Sequence, residues 1–276
     1  MLEVDKDKNL YPKFHFCILN WNGGNLLDEC LESIFRNKAN NYKVTVIDNN
    51  SSNFCSSKID DRVNIIQLDK NYGFSKGYNL GIHKSNIADD EYIILLNYDA
   101  TIDEDFISFL SNSVISHGPN HIYGVKILFD SDKNLIWYAG GTADLQRGNI
   151  AHIGIRQSKD KFNDEVETDY VTGCCMTIHK NMYSKLNGFD QRFFMYNEDL
   201  DLCIRAKRYG TKCFYVPYAL AYHKVSMSTG GNYSIKKILF KAKSSHLLYK
   251  KYYKFPISLL LLLRYFLKTL INIKRV

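Results

Sequence analysis

The feature that most constrains the fold is an alternation, within the first hundred residues, between short apolar runs and helical patterns. The apolar runs lie at 15–20, 44–47, 63–68 and 92–96. Between them, Leu27, Leu31 and Ile34 repeat with the spacing of one helix face, and a second helix is predicted from about 74 to 83. Apolar strands separated by helices form a parallel sheet that is covered on both faces. The sequence therefore predicts an α/β fold with a Rossmann-like, mostly parallel central sheet.

Polar residues follow three of the four runs. In a parallel sheet the carboxyl ends of the strands meet at one edge, and ligands bind there. We therefore expect a polar site at this edge, built from Asn20 and Asn22, Asp48 and Asn49, and Asn97 and Asp99.

The rest of the chain adds further strands, helices and a basic end. Strands are predicted at 122–129 and 170–178, and a helix is predicted at 198–209, closed by Gly210. Residues 235–253 look helical and basic, and 255–276 are apolar with basic interruptions. This pattern predicts a main domain at 12–232 and a C-terminal basic, amphipathic helical appendage at 233–276.

The charge is distributed very unevenly. Residues 202–276 contain 16 Lys and Arg and no acidic residue, although the whole chain has a net charge of only +7. Such asymmetry predicts an anionic partner, either nucleic acid or the cytoplasmic face of a membrane. The seven cysteines form no CxxC pair, and the charged N-terminus has no apolar signal region, so we expect a reduced, cytoplasmic protein.

Several common nucleotide-dependent and hydrolytic motifs are absent from the sequence. It has no GxGxxG, no GxxxxGK[ST] and no GxSxG, which argues against dinucleotide-dependent dehydrogenases, P-loop NTPases and α/β-hydrolases. Gly73, Gly77 and Gly81 recur every four residues, and we interpret them as positions where a helix packs closely on the sheet.

Three groups of residues are candidates for chemistry. Asp99 follows an apolar strand and suits a divalent cation that bridges to a diphosphate, although such an aspartate is more often a turn residue. Glu198 and Asp199 follow an aromatic run, where partial desolvation would favour a general base. They also suit a helix N-terminus, whose dipole favours carboxylates. His223 ends a strand-like segment and is either structural or a metal ligand.

Taken in order, these elements resemble the inverting, nucleotide-sugar-dependent glycosyltransferases of family 2, which have the GT-A fold. Within that family the chain is most similar to the bacterial rhamnosyltransferase-type members. The resemblance spans about 14–231. The segments that carry it are Asn20-Trp-Asn22, Val46-Ile-Asp-Asn-Asn-Ser-Ser52, Asn71-Tyr-Gly-Phe74 with Asn79-Leu-Gly81, Leu95-Leu-Asn-Tyr-Asp99, Gly173, Gly188-Phe-Asp190, Phe194-Met-Tyr-Asn-Glu-Asp-Leu-Asp-Leu-Cys-Ile-Arg205, His223 and Ser228-Thr-Gly-Gly231.

The resemblance also implies roles for individual residues. Asp48 would contact the donor's pyrimidine, and Asp99 with His223 would bind Mg²⁺ or Mn²⁺ beside the diphosphate. Asp199 would be the catalytic base, with Glu198 as its nearest rival. The family's usual DxD or NPD motif is Asn97-Tyr98-Asp99 here, so Asn97 is assigned to the sugar or ribose. The full predicted donor-binding set is Asn20, Asn22, Asp48, Asn49, Asn79, Asn97 and Asp99.

The resemblance further implies attack by an acceptor hydroxyl on the anomeric carbon, with inversion. We expect dTDP-rhamnose as donor and a saccharide acceptor, lipid-linked, in bacterial surface polysaccharide synthesis. UDP-hexoses are the alternative donors. Two alternatives come from other functional classes: a catalytically inactive module that binds nucleotide sugars, and a nucleic-acid binder. We favour the transferase and therefore predict no nucleic acid partner.

The C-terminal segment predicts attachment to a membrane surface. The apolar stretch from Ile257 to Leu263 is interrupted soon afterwards by Arg264 and Lys268, so it is too short and too charged to cross a bilayer. It suits a helix lying in the interface, with basic residues among anionic headgroups. We therefore expect a peripheral protein on the cytoplasmic face of the inner membrane. In the competing interpretation, residues 255–276 pack in the core or form a homodimer contact.

Overall fold

The computed structural model describes residues 11–54, 56–57, 59–225 and 235–264. Its centre is a ten-stranded sheet, and the first four strands pair side by side in the order β4-β1-β2-β3 with every pairing parallel. These four strands are β1 (Lys13–Asn20), β2 (Tyr42–Asp48), β3 (Val63–Gln67) and β4 (Glu91–Asn97). The parallel sheet predicted from the alternating pattern is confirmed over this half of the domain.

The other half of the sheet is mixed, where the sequence predicted a mostly parallel sheet. Strand β11 lies between β4 and β6 and runs antiparallel to both, whereas β12 runs parallel to β6 and antiparallel to β5 and β10. An antiparallel strand buried on both faces is as apolar as a parallel one, so composition did not reveal its direction. The remaining strands are β5 (Ala100–Ile102), β6 (Ile122–Phe129), β7 (Asp132–Tyr138), β8 (Gly141–Asp144), β9 (Asn149–His152), β10 (Val166–Thr168), β11 (Cys175–His179) and β12 (Cys213–His223).

Helices cover both faces of the sheet and divide the core in two. One core contains Phe16 of β1 with Leu27, Leu31 and Phe106 from helices α1 and α3. The second core lies under α2 and α5. The helices are α1 (Asn25–Phe35), α2 (Gly73–Lys84), α3 (Phe106–His117), α4 (Lys180–Lys185), α5 (Glu198–Lys207) and α6 (Ile235–Tyr252), and residues 257–264 are also helical.

The predicted strand at 170–178 is wrong over its first half. Strand β11 begins only at Cys175, and the preceding residues leave the sheet. There the backbone N–H of Gly173 donates to Asp199 (2.9 Å), and the backbone carbonyl of Cys174 accepts from the N–H of Asn97 (3.0 Å). These residues were apolar enough to predict a strand, but their backbone groups bond to the functional edge instead.

Helix α2 packs against the sheet through its glycines, as the four-residue spacing predicted. A Cβ built at Gly81 would lie 2.3 Å from the Cδ1 atom of Ile47, and one at Gly77 would lie 2.9 Å from Leu19 Cδ1. Both distances are shorter than carbon atoms tolerate, so the helix approaches the strands as closely as glycine allows.

We expect Gly81→Ala to lower the free energy of unfolding by about 1–3 kcal/mol, because the added methyl group overpacks the buried Ile47. This loss should exceed the gain of about 1 kcal/mol that alanine usually brings to a helix interior. Urea denaturation measures the change. The exposed His83→Ala on the same helix is the control, and a Gly81→Ala protein as stable as wild type would contradict the close packing.

Helix α6 packs on the main domain through one buried face. Leu248 and Tyr249 are fully buried, and the Tyr252 hydroxyl donates to Asp201 (2.7 Å). Lys251 forms ion pairs with Asp190 (2.7 Å) and Asp201 (2.5 Å). The predicted domain boundary after residue 232 lies outside the described residues, as does the Ser228–Gly231 segment.

Candidate functional site

The ends of β1 and β2 are joined by a buried hydrogen-bond network. The Asn20 side chain donates to Asp48 (3.0 Å) and to the Ser51 hydroxyl (3.1 Å). Ser51 in turn donates to Asp48 from its hydroxyl (2.5 Å) and its backbone N–H (3.1 Å). Both Asn20 and Asp48 are buried. The structure thus brings these two predicted donor-binding residues together and fixes the orientation of the Asp48 carboxylate.

Two further predicted donor-binding amides shape loops around this network. The Asn49 side chain accepts from the backbone N–H of Tyr72 (2.9 Å) and donates to the carbonyl of Gly73 (3.1 Å) and to Asn71 (3.1 Å). Asn22 accepts from the backbone N–H of Ser52 (2.8 Å). Asn49 thereby holds the N-terminus of α2 against β2, and Asn22 joins the loops after β1 and β2.

Asn79, the predicted donor-binding residue on α2, forms its hydrogen bonds with another part of the chain. Its side chain carbonyl accepts from the Tyr183 hydroxyl (2.6 Å) and the backbone N–H of Phe189 (2.9 Å), and its amide donates to the Phe189 carbonyl (2.8 Å). These three bonds tie α2 to the chain before α5. The partners lie about a hundred residues away in sequence, so the pattern alone did not reveal this structural role.

The second group forms where β5 pairs with β12. That pairing sets His223 opposite Ala100, and the imidazole Nε2 lies 3.3 Å from a carboxylate oxygen of Asp99. Both side chains are nearly buried, and in the described part of the chain the His223 Nδ1 atom has no hydrogen-bond partner. Asn97 lies two residues before Asp99, at the end of β4, with its side chain partly exposed.

Asp99 and His223 fit a divalent cation. Mn²⁺ accepts both carboxylate oxygen and imidazole nitrogen as ligands, whereas Mg²⁺ prefers oxygen. Such cations often bind to one or two protein groups together with the phosphates of the substrate. Among the described residues no group of three or more His, Cys, Asp and Glu is arranged to hold a metal by itself. A cation at this pair would therefore need oxygen atoms from a bound diphosphate or water.

An aromatic cluster that no sequence motif predicts lies beside His223. The Trp137 ring makes edge contacts with His223 and with His152, both at 4.5 Å between ring centroids. Burial lowers the pKa of His152 to about 4, so this ring is neutral at physiological pH. The residues belong to β7 and β9, whose sequences contain no recognisable motif, so only the tertiary structure reveals them.

The acidic pair lies at the N-terminus of α5. Asp199 is half-buried, and its two carboxylate oxygens accept from the backbone N–H groups of Gly173 (2.9 Å) and Leu200 (2.8 Å). Burial raises the pKa of Asp199 from its usual 3.8, and the backbone hydrogen bonds, led by that from Gly173, partly oppose the rise. The result is a fixed carboxylate with enhanced proton affinity.

Glu198 has a different environment. It is 5% exposed, and one carboxylate oxygen, Oε2, has no hydrogen-bond partner within the described part of the chain. Burial, together with the neighbouring charge of Asp199, raises the pKa of Glu198 well above its usual 4.5. Glu198 is less accessible to an acceptor than Asp199, and among the described residues it lacks the pair of backbone hydrogen bonds that orients the Asp199 carboxylate.

The segment 173–174 connects the two groups. Gly173 donates to Asp199, and the next residue, Cys174, accepts from the backbone of Asn97. The loop before α5 is fixed in the same region, since the backbone N–H of Phe74 on α2 donates to the Phe194 carbonyl (2.8 Å). The carboxyl end of β4 and the N-terminus of α5 therefore meet at one edge of the sheet, with a carboxylate on each.

Comparison with protein families identifies this arrangement. Residues 16–186, more than half of the chain, match the model described as glycosyl transferase family 2. The chain belongs to glycosyltransferase family 2. The matched residues run from β1 to α4 and include Asp48, Asn97 and Asp99, whereas Asp199 and His223 lie beyond them.

The family's rhamnosyltransferases are among the relatives with similar sequences. The chain is 28% identical to Rhamnosyltransferase WbbL of Escherichia coli K12, over 62% of this chain and 66% of that protein. It is 24% identical to dTDP-rhamnosyl transferase RfbF of Shigella flexneri, over 87% of this chain and 77% of that protein. The chain thus spans slightly less than two thirds of WbbL.

Solved structures confirm the predicted GT-A fold. GalNAc-T7 with UDP, GalNAc and Mn²⁺ has a TM-score of 0.66 at 13% identity, covering 90% of this chain and 52% of that one. Staphylococcus aureus TarS 1–349 has a TM-score of 0.57 at 12% identity, covering 92% and 70%. At these identities the likeness establishes the fold alone.

Proposed function

We propose that this chain is an inverting glycosyltransferase that moves rhamnose from dTDP-rhamnose to a saccharide acceptor, lipid-linked, in bacterial surface polysaccharide synthesis. One observation carries the proposal. A half-buried, hydrogen-bonded carboxylate, Asp199, lies across the 173–174 segment from a carboxylate–imidazole pair, Asp99 and His223, that fits a diphosphate-bound cation. One base and one cation site are what inverting transfer from a nucleoside diphosphate sugar requires.

The residues then take separate roles in the reaction. Asp48 holds the donor's pyrimidine, and Asn97 contacts its sugar or ribose. Asp99 and His223 hold Mg²⁺ or Mn²⁺, which when bound offsets the negative charge of the leaving diphosphate. Asp199 removes the proton of the acceptor hydroxyl as that oxygen attacks the anomeric carbon from the face opposite the diphosphate.

The names of the relatives support the choice of donor. WbbL and RfbF are both named as rhamnosyltransferases, and the name of RfbF specifies a dTDP-rhamnosyl group. The structural neighbours contain UDP instead, so UDP-hexoses are the second candidate donors. A thermal-shift screen of nucleotide sugars with Mn²⁺ tests the choice, because a ligand that binds only the folded protein raises its melting temperature. If dTDP-rhamnose raises the melting temperature most, the result supports the proposal. If a UDP-hexose raises it more, that UDP-hexose is the donor instead.

Thermal shifts combined with a product assay separate the transferase from the other two functional classes. An inactive nucleotide-sugar-binding module would show the thermal shift but no product. A nucleic-acid binder would respond to single-stranded or duplex DNA or RNA and not to dTDP. Only a transferase shows both the shift and a glycosylated acceptor.

We expect Asp48→Ala to raise the KM for the donor about tenfold or more while kcat changes little, since this carboxylate contacts the base and not the reacting carbon. Steady-state kinetics with varied donor concentration measure the split. The control is Asp164→Ala, which removes an exposed aspartate. A loss of kcat at unchanged KM would contradict the assignment of Asp48.

We further propose that the protein attaches to the cytoplasmic face of the inner membrane through its C-terminal end. In the described residues no helix is long and apolar enough to span a bilayer. Phe255, Ile257, Leu260 and Leu263 are all more than half exposed, and they lie in or next to the helical residues 257–264. Clustered exposed apolar residues mark an interaction surface, and the neighbouring basic residues favour anionic headgroups. Packing of this surface in a homodimer is the competing possibility.

Liposome flotation tests this attachment. We expect the full-length protein to float with anionic vesicles at low salt, because buried apolar residues and basic side chains add to its affinity. A variant that ends after Tyr253 should stay in the lower fraction, as should Leu260→Asp with Leu263→Asp. Equal flotation of all three proteins, or of none, would contradict the anchor.

A further inference from the structure

A cavity of about 300 Å³ lies between α6 and the chain just before α5. Its walls are apolar and include Phe193, Phe194, Met195, Phe240 and Leu247. The rings of Phe194 and Phe240 stack with centroids 5.2 Å apart and planes inclined by 16°. Small-molecule sites usually combine such apolar walls with a few polar groups, and this volume is at the lower end of their range.

The ionisable groups that line the cavity are all basic. Lys243, His246 and Lys250 line it, and they fall on one face of α6 because they are three and four residues apart. Within the described residues none of the three has an ion-pair partner, and no acidic residue occurs anywhere after Asp201. Two other basic residues differ: Arg192, which also lines the cavity, pairs with Asp190 (2.6 Å), and Lys251 pairs with Asp190 and Asp201. The cavity therefore has uncompensated positive charge.

This cavity is also directly connected to the proposed base. Residues 193–195 in its wall precede Asp199 by only a few positions. The Ser244 hydroxyl on α6 donates to the carbonyl of Tyr196 and accepts from the side chain of Asn197 (3.1 Å). These bonds fix the loop before α5 to α6, so the wall of the cavity continues directly into the first turn of α5, which carries Asp199.

We propose that the cavity binds the diphosphate and first isoprenoid units of a lipid-linked saccharide acceptor. The inference rests on the proposed glycosyltransferase function and specifies the chemical class of its acceptor. Lys243, His246 and Lys250 pair with the diphosphate, and the apolar walls hold the prenyl chain. The saccharide, on the other side of the diphosphate, then extends towards Asp199. Three basic groups around a narrow apolar cavity match a diphosphate on a single chain better than a two-chain phospholipid.

Isothermal titration of the full-length protein with farnesyl diphosphate tests this binding, with dTDP and Mn²⁺ present in excess to fill the donor site. We expect binding by wild type and a loss of about tenfold or more in the Lys243→Ala/Lys250→Ala protein, since two charge-assisted contacts disappear. The Lys159→Ala/Lys161→Ala protein loses the same charge in an exposed loop and should bind as wild type does. Farnesol and inorganic diphosphate should each bind at least about tenfold more weakly than farnesyl diphosphate.

Three results would overturn the proposal. One is equal affinity of wild type and the Lys243→Ala/Lys250→Ala protein for farnesyl diphosphate. The second is no binding by wild type. The third is equally effective competition by a short-chain phosphatidylglycerol, which would make the cavity a site for membrane phospholipid.

Kinetics separate this proposal from the proposed function. The Lys243→Ala/Lys250→Ala protein should show a raised KM for a saccharide on farnesyl diphosphate and an unchanged KM for the same saccharide on a neutral alkyl chain. If wild type binds no dTDP in the absence of farnesyl diphosphate, the proposed function itself fails. If it binds dTDP but the two KM values change equally, only the acceptor site is wrong.

Discussion

Asp199→Asn should lower kcat by roughly a thousandfold while donor affinity stays within a few-fold of wild type, because an amide cannot accept the acceptor's proton. The variant keeps the shape of the side chain but faces one of the two backbone N–H groups with an amide nitrogen. We therefore also expect a loss of about 1 kcal/mol in the free energy of unfolding. Single-turnover kinetics measure the chemical step, and titration with dTDP measures donor binding.

Glu198→Gln is the matched control for this prediction. Glu198 is buried, and burial together with the charge of Asp199 raises its pKa well above the usual value. Because its side chain is not accessible to the acceptor, glutamine should replace it with kcat within about tenfold of wild type. If Glu198→Gln lost most of its kcat and Asp199→Asn lost only a few-fold, Glu198 and not Asp199 would be the catalytic base.

The pH dependence of kcat provides an independent readout of the same assignment. A base acts only when deprotonated, and burial raises the pKa of Asp199 above 3.8. The rate should therefore fall as the pH drops through this raised pKa, at a higher pH than for an exposed aspartate. A rate that is constant down to the range of ordinary carboxylates would contradict Asp199 as the base.

Asp99→Ala should reduce turnover about a hundredfold or more and abolish its dependence on Mg²⁺ or Mn²⁺, since the cation site proposed at Asp99 and His223 would lose its carboxylate. Wild type should lose its activity in excess EDTA and regain it on addition of Mn²⁺. Binding of Mn²⁺ in the presence of dTDP, followed by electron paramagnetic resonance, measures the site without relying on turnover.

Two variants sharpen this second prediction. His223→Ala should weaken Mn²⁺ binding in the same assay, because its imidazole lies 3.3 Å from Asp99. Asp164→Ala, which removes an exposed carboxylate, should leave Mn²⁺ binding unchanged. Full turnover of wild type in EDTA, or normal Mn²⁺ binding by Asp99→Ala, would contradict a metal-binding role for Asp99 and His223.

The sequence was sufficient to predict the parallel half of the sheet and helix α2. Apolar runs with helical segments between them are compatible with few folds other than a parallel sheet covered by helices. The glycine spacing of α2 reflects its close contact with Ile47. Strand direction in the other half was not predictable, because β11 is buried on both faces whichever way it runs. Local composition carries no information about which distant strand becomes a neighbour.

The site residues divide in the same way. Asp48, Asp99 and Asp199 stand at the ends of regular elements, where the sequence itself marks the position. The pairing of Asp99 with His223 depends on the contact of β5 with β12, and the bonds of Asn79 depend on the chain before α5. The cavity beside α6 requires two segments far apart in sequence, so only the tertiary structure shows it.

The most direct test of the proposed function is to determine the product formed from dTDP-rhamnose and a saccharide on farnesyl diphosphate in the presence of Mn²⁺. Nuclear magnetic resonance of the purified product identifies both the transferred sugar and its anomeric configuration. We predict a rhamnosyl product whose configuration is opposite to that of the donor. Retention of configuration would contradict transfer by the single base Asp199, and the absence of any glycosylated product with all dTDP- and UDP-sugars would contradict the function itself.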